Sequence, residues 1–421
     1  MIPGKLYGSF SEISPPERAE LAKDIYERYS QLTPSEQDIA RDLLYYTLDE
    51  MSPEMRSGAT NLLLAKQVKR LWETPFYNRS MKKKGITAPS QISDTNRYFK
   101  NMPISFKNQI VNSRYGWAGV LSPEHRLAAR GKNTPGKDKI QVMYSTSGTT
   151  GPPFECYYSK RDAYFTPAIF GKALSDIKAS EFSPSYNVFN PRSIGYWVVQ
   201  NAFPEAGVTP FSPHPTKDLA YELNFLRDHE VKSIFGSTDL KKGGIQRYLY
   251  PEKNADKKEP KLLSAEDIFG KGGVERVYFA GASMPKELLD RLRDLGVIDV
   301  CEGQGTSEQT GMGTGTYGRK YPHYQRGICR LKPQYLVEVV NIDSLTEGSP
   351  PWHVDVGERG ILLKTPLNRT GTKLGRYAFD EATYLGTDPK TGEVLISDLS
   401  RLRDPSTGTY LSDLGQCGGG I

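Results

Sequence analysis

The sequence has few of the residues that hold disulfide-rich or metal-bound proteins together. Only four cysteines and five histidines occur among its 421 residues. The cysteines stand apart, without the paired spacing of a zinc site or a disulfide framework, at Cys156, Cys301, Cys329 and Cys417. The histidines form no HxxxH pair and no triad-like group, so neither a metallohydrolase nor a Ser/His hydrolase is indicated. We expect buried or incidental thiols rather than a catalytic one.

The sequence also lacks long apolar runs and a strong charge of either sign. No apolar run approaches the ~20 residues that span a bilayer, and the first residues, MIPGKLYGSFSE, do not follow the basic-then-apolar pattern of a secretory signal. The 55 basic and 49 acidic residues leave a net charge of +6. No nucleic-acid reader motif accompanies the lysines. We therefore expect a cytoplasmic protein with no membrane or nucleic-acid partner, whose mild positive charge suits polyphosphate ligands.

Residues 1–75 predict a helical N-terminal extension. Ser14 and Thr33 each precede a proline and stand three residues before a glutamate, which is the pattern of a capping box with proline at the first helical position. Apolar residues then recur at helical spacing, and we expect them to face inward. They comprise Leu21, Ile25, Tyr29 and Leu32, with Ile39, Leu43 and Leu44 beginning a second stripe.

From about residue 138 onward, strand-like runs alternate with helical segments such as 159–178 and 285–295. This order is typical of a layered α/β architecture. A chain of this length exceeds one compact core, so we expect two or three packed units.

Residues 144–153, with the sequence YSTSGTTGPP, carry six hydroxyl side chains and two glycines. Strand-like runs flank them, KIQVMYS before and FECYY after, so the turn is predicted to close a hairpin. Glycine lets successive N–H groups face one point and the hydroxyls add donors, which makes a cradle for an anion. A Walker-type loop is excluded because Gly148 and Gly151 are too close together and no lysine follows. The alternative is an ordinary Ser/Thr/Gly-rich turn.

The string TSGTTG followed by proline resembles the phosphate loop of the adenylate-forming superfamily, which includes acyl-CoA synthetases, peptide-synthetase adenylation domains and luciferases. The resemblance implies a layered α/β adenylation domain in which this loop binds the phosphates of ATP. The implied loop residues are Thr146, which also takes a catalytic role, and Ser147, Gly148, Thr149, Thr150 and Gly151. Family members usually carry a lysine where Phe154 stands here.

A second segment, residues 303–311 with the sequence GQGTSEQTG, resembles the Y-G-x-[ST]-E motif of the same family. The resemblance implies that Ser307 contacts the α-phosphate and that Glu308 ligates Mg²⁺, both as catalytic residues. Mg²⁺ prefers hard oxygen ligands, so one carboxylate with phosphate oxygens is a reasonable set. Gln304 replaces the aromatic residue that stacks on adenine, and Gly305 and Thr306 complete the implied nucleotide contacts. Taken alone, the segment is equally typical of a solvated turn.

Two further segments resemble nucleotide contacts of the family. Residues 277–280 predict a buried strand, followed by a small-residue turn and a helix that starts at Ser283, a fair N-cap, or at Pro285. The resemblance places the turn residues Gly281, Ala282 and Ser283 in the adenine pocket. Farther on, the pair Arg376 and Tyr377 matches a motif that ends in an aspartate bound to the ribose hydroxyls. Counting places that acid at Glu381, but we prefer Asp380, one residue earlier; a carboxylate at either position accepts two hydroxyl donors.

Within the superfamily the sequence is most similar to phenylacetate-CoA ligases, over about residues 73–415. Residues 75–110 follow their N-terminal pattern, 158–162 resemble their Tyr-Thr-x-x-Asp segment, and 326–341 match a strand region with Cys329 where histidine is usual. Those ligases also lack the loop lysine. Aromatic residues typical of apolar ligand sites supply an implied acyl pocket. Its residues are Tyr196, Trp197, Phe235 and Gly236.

The implied reaction is ATP-dependent activation of a carboxylic acid, aryl or otherwise apolar, to an acyl-adenylate, with CoA as the thiol that then displaces AMP. Two alternatives stay open: transfer to a carrier-protein thiol or an amine, and a non-catalytic nucleotide-binding homologue. A homodimer is possible for any of them. We expect residues 76–414 to form the adenylation core and 415–421 to begin a hinge. The mobile C-terminal lid of the family is then absent or truncated, and adenylation by this chain is expected to be slow.

Overall fold

The computed structural model of the chain describes residues 10, 12–129, 139–145, 154–212, 218–237, 244–254, 262–280, 285–306, 310–318, 328–341, 343 and 352–402. Its α-helices are α1 Pro15–Glu27, α2 Pro34–Tyr46, α3 Pro53–Trp72, α4 Pro75–Lys83, α5 Thr95–Asn101, α6 Lys107–Val111, α7 Pro123–Ala129, α8 Lys160–Asp176, α9 Ile194–Glu205, α10 Leu219–Asp228, α11 Gln246–Leu249, α12 Pro251–Asn254 and α13 Lys286–Asp294. Its strands are β1 Ser105–Phe106, β2 Ile140–Ser145, β3 Glu155–Ser159, β4 Ser185–Asn187, β5 Pro210–Phe211, β6 Ser233–Gly236, β7 Arg276–Ala280, β8 Asp299–Thr306, β9 Thr310–Gly318, β10 Cys329–Leu331, β11 Tyr335–Val340, β12 Arg359–Pro366, β13 Tyr377–Thr387 and β14 Val394–Arg401.

Side-chain caps set the start of the N-terminal helices, as the sequence predicts. Proline is the first residue of both α1 and α2. Before α1, the Ser14 N–H and hydroxyl both donate to the Glu17 carboxylate, at 3.2 and 2.6 Å. Before α2, the Thr33 N–H and hydroxyl donate to Glu36 in the same way, at 2.9 and 2.7 Å. In each case the glutamate carboxylate satisfies the backbone N–H of the residue that caps the helix.

The apolar stripes of these helices face inward to different degrees. Ile25 in α1 is buried, and so are Leu43 and Leu44 in α2. Leu21 and Tyr29 are only half-buried. Leu32 and Ile39 are half-buried as well. The predicted inward face is therefore confirmed at Ile25, Leu43 and Leu44, while the other four residues lie nearer the surface.

The chain packs as two units. Unit 1 comprises Met1–Phe165 and Leu331–Gly420, and unit 2 comprises Thr166–Arg330. The helical N-terminal segment is thus part of a unit that also contains the last strands of the chain. The boundaries expected after residues 75 and 414 stay predictions. In the part of the chain that the structure describes, each helix is too short or too polar to span a bilayer.

Unit 2 is built on parallel strands in the order β5-β4-β6-β7-β8, with β9 antiparallel to β8. Side chains alternate between the two faces of this sheet. Ile234 and Val277 pack on one face with helices α10 and α13. Phe235 and Tyr278, each one residue later, pack on the opposite face with α8 and α9. Helices on both faces of a mainly parallel sheet make the layered α/β architecture that the sequence predicts.

Unit 1 contains an antiparallel sheet in the order β11-β12-β13-β14, with β1 parallel to β13. Its apolar core joins strand residues such as Ile361, Leu363 and Ala378 to residues beside β1. The strands β2 and β3 form a separate two-stranded hairpin in the same unit. These two sheets carry the site segments of unit 1.

Candidate functional site

The β2–β3 hairpin places the turn that the sequence singles out. The two strands are antiparallel, and Ser145 pairs with Glu155 at the last described position before the turn. The predicted hairpin is therefore confirmed. Residues 146–153 lie outside the described residues, so the assignment of Thr146, Ser147, Gly148, Thr149, Thr150 and Gly151 stays a prediction. Phe154, at the position of the family's lysine, is buried.

The hairpin is held along β3 by the connection between β12 and β13, residues 367–376. A two-stranded hairpin is only marginally stable in water on its own. The Tyr157 N–H donates to the Thr372 hydroxyl at 2.7 Å, and the Thr372 N–H donates to the Tyr157 carbonyl at 2.8 Å. The connection is therefore bonded to β3 at Tyr157 by one backbone–backbone bond and one bond to a side-chain hydroxyl.

Asp162, in the first turn of α8, joins three backbone segments through one carboxylate. It accepts the Ser159 N–H at 3.2 Å, while the Ser159 hydroxyl accepts the Asp162 N–H at 3.1 Å, which completes a capping box. The same carboxylate accepts the Thr370 N–H at 3.0 Å and the Gly371 N–H at 2.7 Å. The end of β3, the start of α8 and the β12–β13 connection therefore share one buried acceptor.

Arg369 balances the buried charge of Asp162. Its Nε lies 3.5 Å from an Asp162 carboxylate oxygen, and its guanidinium stacks 4.0 Å above the centre of the Tyr158 ring. Burial alone lowers the pKa of Arg369, but the neighbouring Tyr158 and Asp162 together raise it above its ordinary value. The arginine is therefore charged. Its positive charge offsets the negative charge of Asp162, so neither charge is isolated in the interior.

Every residue of the β12–β13 connection is buried, although connections usually run over the surface. Its backbone groups find partners in side chains, as burial requires. The Gly375 N–H donates to the Tyr77 hydroxyl at 2.9 Å, and the Ser105 hydroxyl donates to the Gly375 carbonyl at 2.9 Å. A Cβ at Gly375 would stand 2.6 Å from Leu71 Cδ1, so a larger residue here would force neighbouring side chains to shift.

Arg376 ends the connection in an unusual backbone conformation. Its φ of 41° lies in the left-handed region, which residues other than glycine seldom adopt. Its guanidinium forms two bonds to the Glu338 carboxylate, at 3.0 and 2.7 Å, and a third to the Met102 carbonyl at 2.9 Å. This buried ion pair fixes the first residues of β13.

The two candidate ribose acids follow on β13. As successive strand residues, Asp380 and Glu381 direct their side chains to opposite faces of the sheet. Asp380 is buried, with 6% of its surface exposed. The Glu381 carboxylate pairs with Arg359 at 3.3 Å. One face of β13 can therefore present only one of them, and the preference for Asp380 stays a prediction.

In unit 2, the strands that border the remaining predicted segments are neighbours in the parallel sheet. Strands β6, β7 and β8 are neighbours, and Ala280 at the end of β7 pairs with Gly303 in β8. Ligands of such sheets bind beyond the carboxyl ends of the strands. At that edge, Gly236 ends β6, residues 281–283 follow β7, and Gln304, Gly305 and Thr306 end β8. The adenine-pocket residues Gly281, Ala282 and Ser283 lie outside the described residues.

The helix after β7 starts later than the sequence predicts. It begins at Lys286, with Pro285 at the N-cap. The predicted start at Ser283 or Pro285 is therefore wrong by at least one residue. Proline here has an extended backbone with ψ of 147° and so stands outside the first turn.

The predicted acyl pocket divides into buried and accessible residues. Phe235 is 1% exposed and stacks on Tyr278, with ring centres 5.3 Å apart. A Cβ at Gly236 would stand 2.3 Å from Val188 Cγ2, so this strand end is closely packed. Tyr196 and Trp197, on α9, are half-buried, and the Tyr196 hydroxyl donates to the Ser212 hydroxyl at 2.6 Å. The two α9 residues remain candidates to contact an apolar ligand, whereas Phe235 lies in the core of unit 2.

Strands β8 and β9 are joined across three residues, because Thr306 pairs with Thr310. Ser307 and Glu308 stand between them and lie outside the described residues. Within the described ranges, no group of three His, Cys, Asp or Glu side chains is placed to hold a metal ion. The magnesium role of Glu308 therefore stays a prediction. Three cysteines, Cys156, Cys301 and Cys329, are buried and unbridged, as expected for incidental thiols.

Sequence reasoning missed the residues that anchor the hairpin. Asp162 and Gly371 stand 209 residues apart in the chain, so no local pattern links them. A partial signal is present: Ser159-x-x-Asp162 has the spacing of a capping box directly after a strand.

Comparison with protein-family models gave no match, and comparison with curated proteins gave none either. Among solved structures, the chain is similar to 2-hydroxyisobutyryl-CoA ligase. An open conformation of that ligase, in complex with 2-HIB-AMP and CoA, gives a TM-score of 0.59 at 15% identity over 84% of this chain and 71% of the other. Its postadenylation state with 2-HIB-AMP gives 0.59 at 16% identity, over 87% and 72%. At these identities the likeness shows the fold, and it confirms the fold that the resemblance in sequence predicts.

Proposed function

Because the chain has the fold of an acyl-CoA ligase, we propose that it activates a carboxylic acid with ATP to form an acyl-adenylate. The observation that carries the proposal is the β2–β3 hairpin. A turn with the sequence TSGTTG closes a described strand pair in a chain of this fold. The ligase of the same fold is in complex with an adenylate, 2-HIB-AMP. Composition, hairpin and fold thus support one reaction class.

In the proposed reaction, an oxygen of the carboxylate attacks the α-phosphorus of ATP. The bond from the α-phosphorus to the bridging oxygen breaks, and pyrophosphate leaves with that electron pair. Both reactants are anionic, so the site must offset their negative charge as they approach. The N–H and hydroxyl donors of residues 146–151 hold the phosphates, and Ser307 contacts the α-phosphate.

Magnesium is the proposed metal. The donor set fits it, since the carboxylate of Glu308 and phosphate oxygens are hard oxygen ligands. When bound, the ion supplies positive charge beside the phosphates. The protein's own contribution is to orient the triphosphate and the acid, which is the larger part of catalysis in phosphoryl-type transfers.

The adenosine moiety is proposed to bind across the carboxyl edge of the parallel sheet. The small turn residues 281–283 let a flat base approach the backbone, and Gln304, Gly305 and Thr306 line the next strand end. Asp380 is the proposed partner of the ribose hydroxyls, with Glu381 as the alternative.

CoA is the proposed acceptor, and the ligase of the same fold is in complex with CoA. The acid is proposed to be aryl or otherwise apolar, because the half-buried aromatic residues Tyr196 and Trp197 lie on α9 over an aromatic core. A phenylacetate-CoA ligase-like enzyme fits this combination. A carrier-protein thiol or an amine is the alternative acceptor; incubating preformed acyl-adenylate with each acceptor separates them.

ATP–pyrophosphate exchange across a panel of aryl, aliphatic and amino-acid-derived carboxylates tests the proposal. We expect exchange with at least one acid, and a loss of about 100-fold or more in Glu308→Gln, which removes a metal ligand. Glu54→Gln, a change at an exposed helix residue, is the matched control. ATP binding without exchange for any acid would instead support a non-catalytic nucleotide-binding homologue.

A further inference from the structure

We propose that Asp162 positions the phosphate-binding hairpin for ATP, acting through the backbone of the β12–β13 connection. The inference rests on the proposed function and names a residue that none of the motif resemblances assigns to ATP binding. Asp162 is a positioning residue, since its carboxylate is occupied by backbone N–H groups. It lies in the first turn of α8, three residues after β3 ends.

The carboxylate is the junction of two elements that are distant in the chain. It receives N–H groups from Ser159 at the end of β3 and from Thr370 and Gly371 in the connection. Charged acceptors make stronger hydrogen bonds than neutral ones. The Ser159 hydroxyl adds a direct bond to the Thr370 hydroxyl at 2.5 Å. The end of β3 is therefore fixed to residues 370–371 by several polar contacts at one point.

The position of the hairpin depends on how β3 is held, because among the described residues β2 pairs with no strand other than β3. In the register of the described residues, β2 pairs with β3. Its residues alternate between exposed and half-buried, whereas Cys156 to Ser159 in β3 are all buried. Because only β3 is anchored, any movement of β3 would move the whole hairpin. The anchor on β3 thus holds the described strand that follows residues 146–153 in the chain.

Close packing at Gly371 shows that the approach is specific. A Cβ at this position would stand 2.1 Å from the Tyr157 carbonyl oxygen and 2.7 Å from an Asp162 carboxylate oxygen. The first is a backbone atom, and the second already accepts the N–H groups of Ser159 and Gly371. No side chain fits without separating β3 from the connection. Gly371 is therefore needed for the same contact that Asp162 makes.

The connection also leads directly into the strand that carries the candidate ribose acid. Residues 367–376 are buried throughout, and β13 begins at Tyr377. One carboxylate therefore links the strand that borders the phosphate turn with the segment that precedes Asp380. We infer that Asp162 fixes the spacing between phosphate and ribose contacts within unit 1.

Asp162→Asn tests the inference most sharply because the side chain keeps its size. Asparagine offers one acceptor oxygen and replaces the other with an NH₂ donor that faces backbone N–H groups. We expect the KM and the Kd for ATP to rise at least about tenfold, equivalent to roughly 1.4 kcal/mol. We expect a much smaller change in the KM for the acid. Amide hydrogen exchange should quicken in peptides from β2 and β3 and not in those from unit 2.

Glu393→Gln is the matched control. Glu393 is a buried carboxylate of the same unit that pairs with Lys332 at 2.9 Å, away from the hairpin. Thr372→Val is the second variant, in case Asp162→Asn does not fold. It removes only the hydroxyl that accepts the Tyr157 N–H. Like Asp162→Asn, it should raise the Kd for ATP.

The outcomes separate the two proposals. Selective loss of ATP affinity in Asp162→Asn or Thr372→Val, with Glu393→Gln like wild type, supports the inference. Folded variants that bind ATP as wild type does would overturn it and leave the proposed function intact. If Asp162→Asn and Glu393→Gln lose ATP affinity equally, in proportion to their loss of folding stability, Asp162 has only a structural role. Failure of the wild-type chain to bind ATP would refute the proposed function and the inference with it.

Discussion

The buried ion pair between Arg376 and Glu338 gives the prediction with the largest effect on stability. Both side chains are 1% exposed, and the carboxylate receives two guanidinium N–H groups at 3.0 and 2.7 Å. Glu338→Gln leaves a buried arginine whose charge has lost its partner. Breaking such a pair on one side costs about 3–5 kcal/mol. Glutamine keeps one acceptor oxygen, so we expect a loss near the lower limit, about 3 kcal/mol.

Urea unfolding followed by tryptophan fluorescence can measure this loss in unit 1. Three of the four tryptophans, Trp72, Trp117 and Trp352, belong to unit 1, and Trp197 belongs to unit 2. In a Trp197→Phe background the signal therefore reports unit 1 alone. The control is Asp24→Asn, which breaks the half-exposed pair with Arg28 and should cost about 0–0.5 kcal/mol. A loss below about 1 kcal/mol in Glu338→Gln would refute the view that this pair fixes the start of β13.

Two further predictions concern the same connection. Gly375→Ala should destabilise unit 1 by about 1–3 kcal/mol in the same urea assay, because its Cβ would meet Leu71 Cδ1 at 2.6 Å and the Tyr98 hydroxyl at 3.0 Å; an unchanged midpoint would contradict the packing. Burial raises the pKa of Tyr77 to about 12, whereas an unfolded tyrosine ionises near pH 10. The stability that this neutral phenol contributes below pH 10 is therefore lost as pH rises toward 12, by about 1.4 kcal/mol per pH unit. In Tyr77→Phe, the free energy of unfolding should fall less steeply between pH 10 and pH 12, by the contribution of one proton. An identical slope in the variant would count against the assignment.

Local sequence patterns predict the elements that depend on neighbouring residues. The capping boxes at Ser14 and Thr33 involve contacts three residues apart, and both form. The hairpin is signalled by β-forming runs on either side of a glycine-rich turn. The apolar run at residues 277–280 predicts a buried strand, and β7 forms there. In each case, the interaction that decides the structure lies within the segment itself.

Contacts between distant segments account for what the sequence does not reveal. Asp162 meets Gly371 across 209 residues, and Arg376, just before β13, meets Glu338 in β11 although β12 lies between those two strands. The aromatic character of Phe235 fits a pocket or a core equally well, and only its neighbours place it in the core. Asp380 and Glu381 are adjacent acids. If the motif count is wrong by one residue, the acid it assigns points to the opposite face of the sheet.

Calorimetric titration of ATP, with magnesium present, tests the central claim most directly. The claim is that the turn between β2 and β3 binds the triphosphate. Thr149→Val with Thr150→Val removes two hydroxyl donors from that turn, and Thr387→Val changes a hydroxyl in β13 as the control. The account predicts that wild type and Thr387→Val bind ATP equally and that the double variant binds at least about tenfold more weakly. Equal affinity in all three proteins would contradict it.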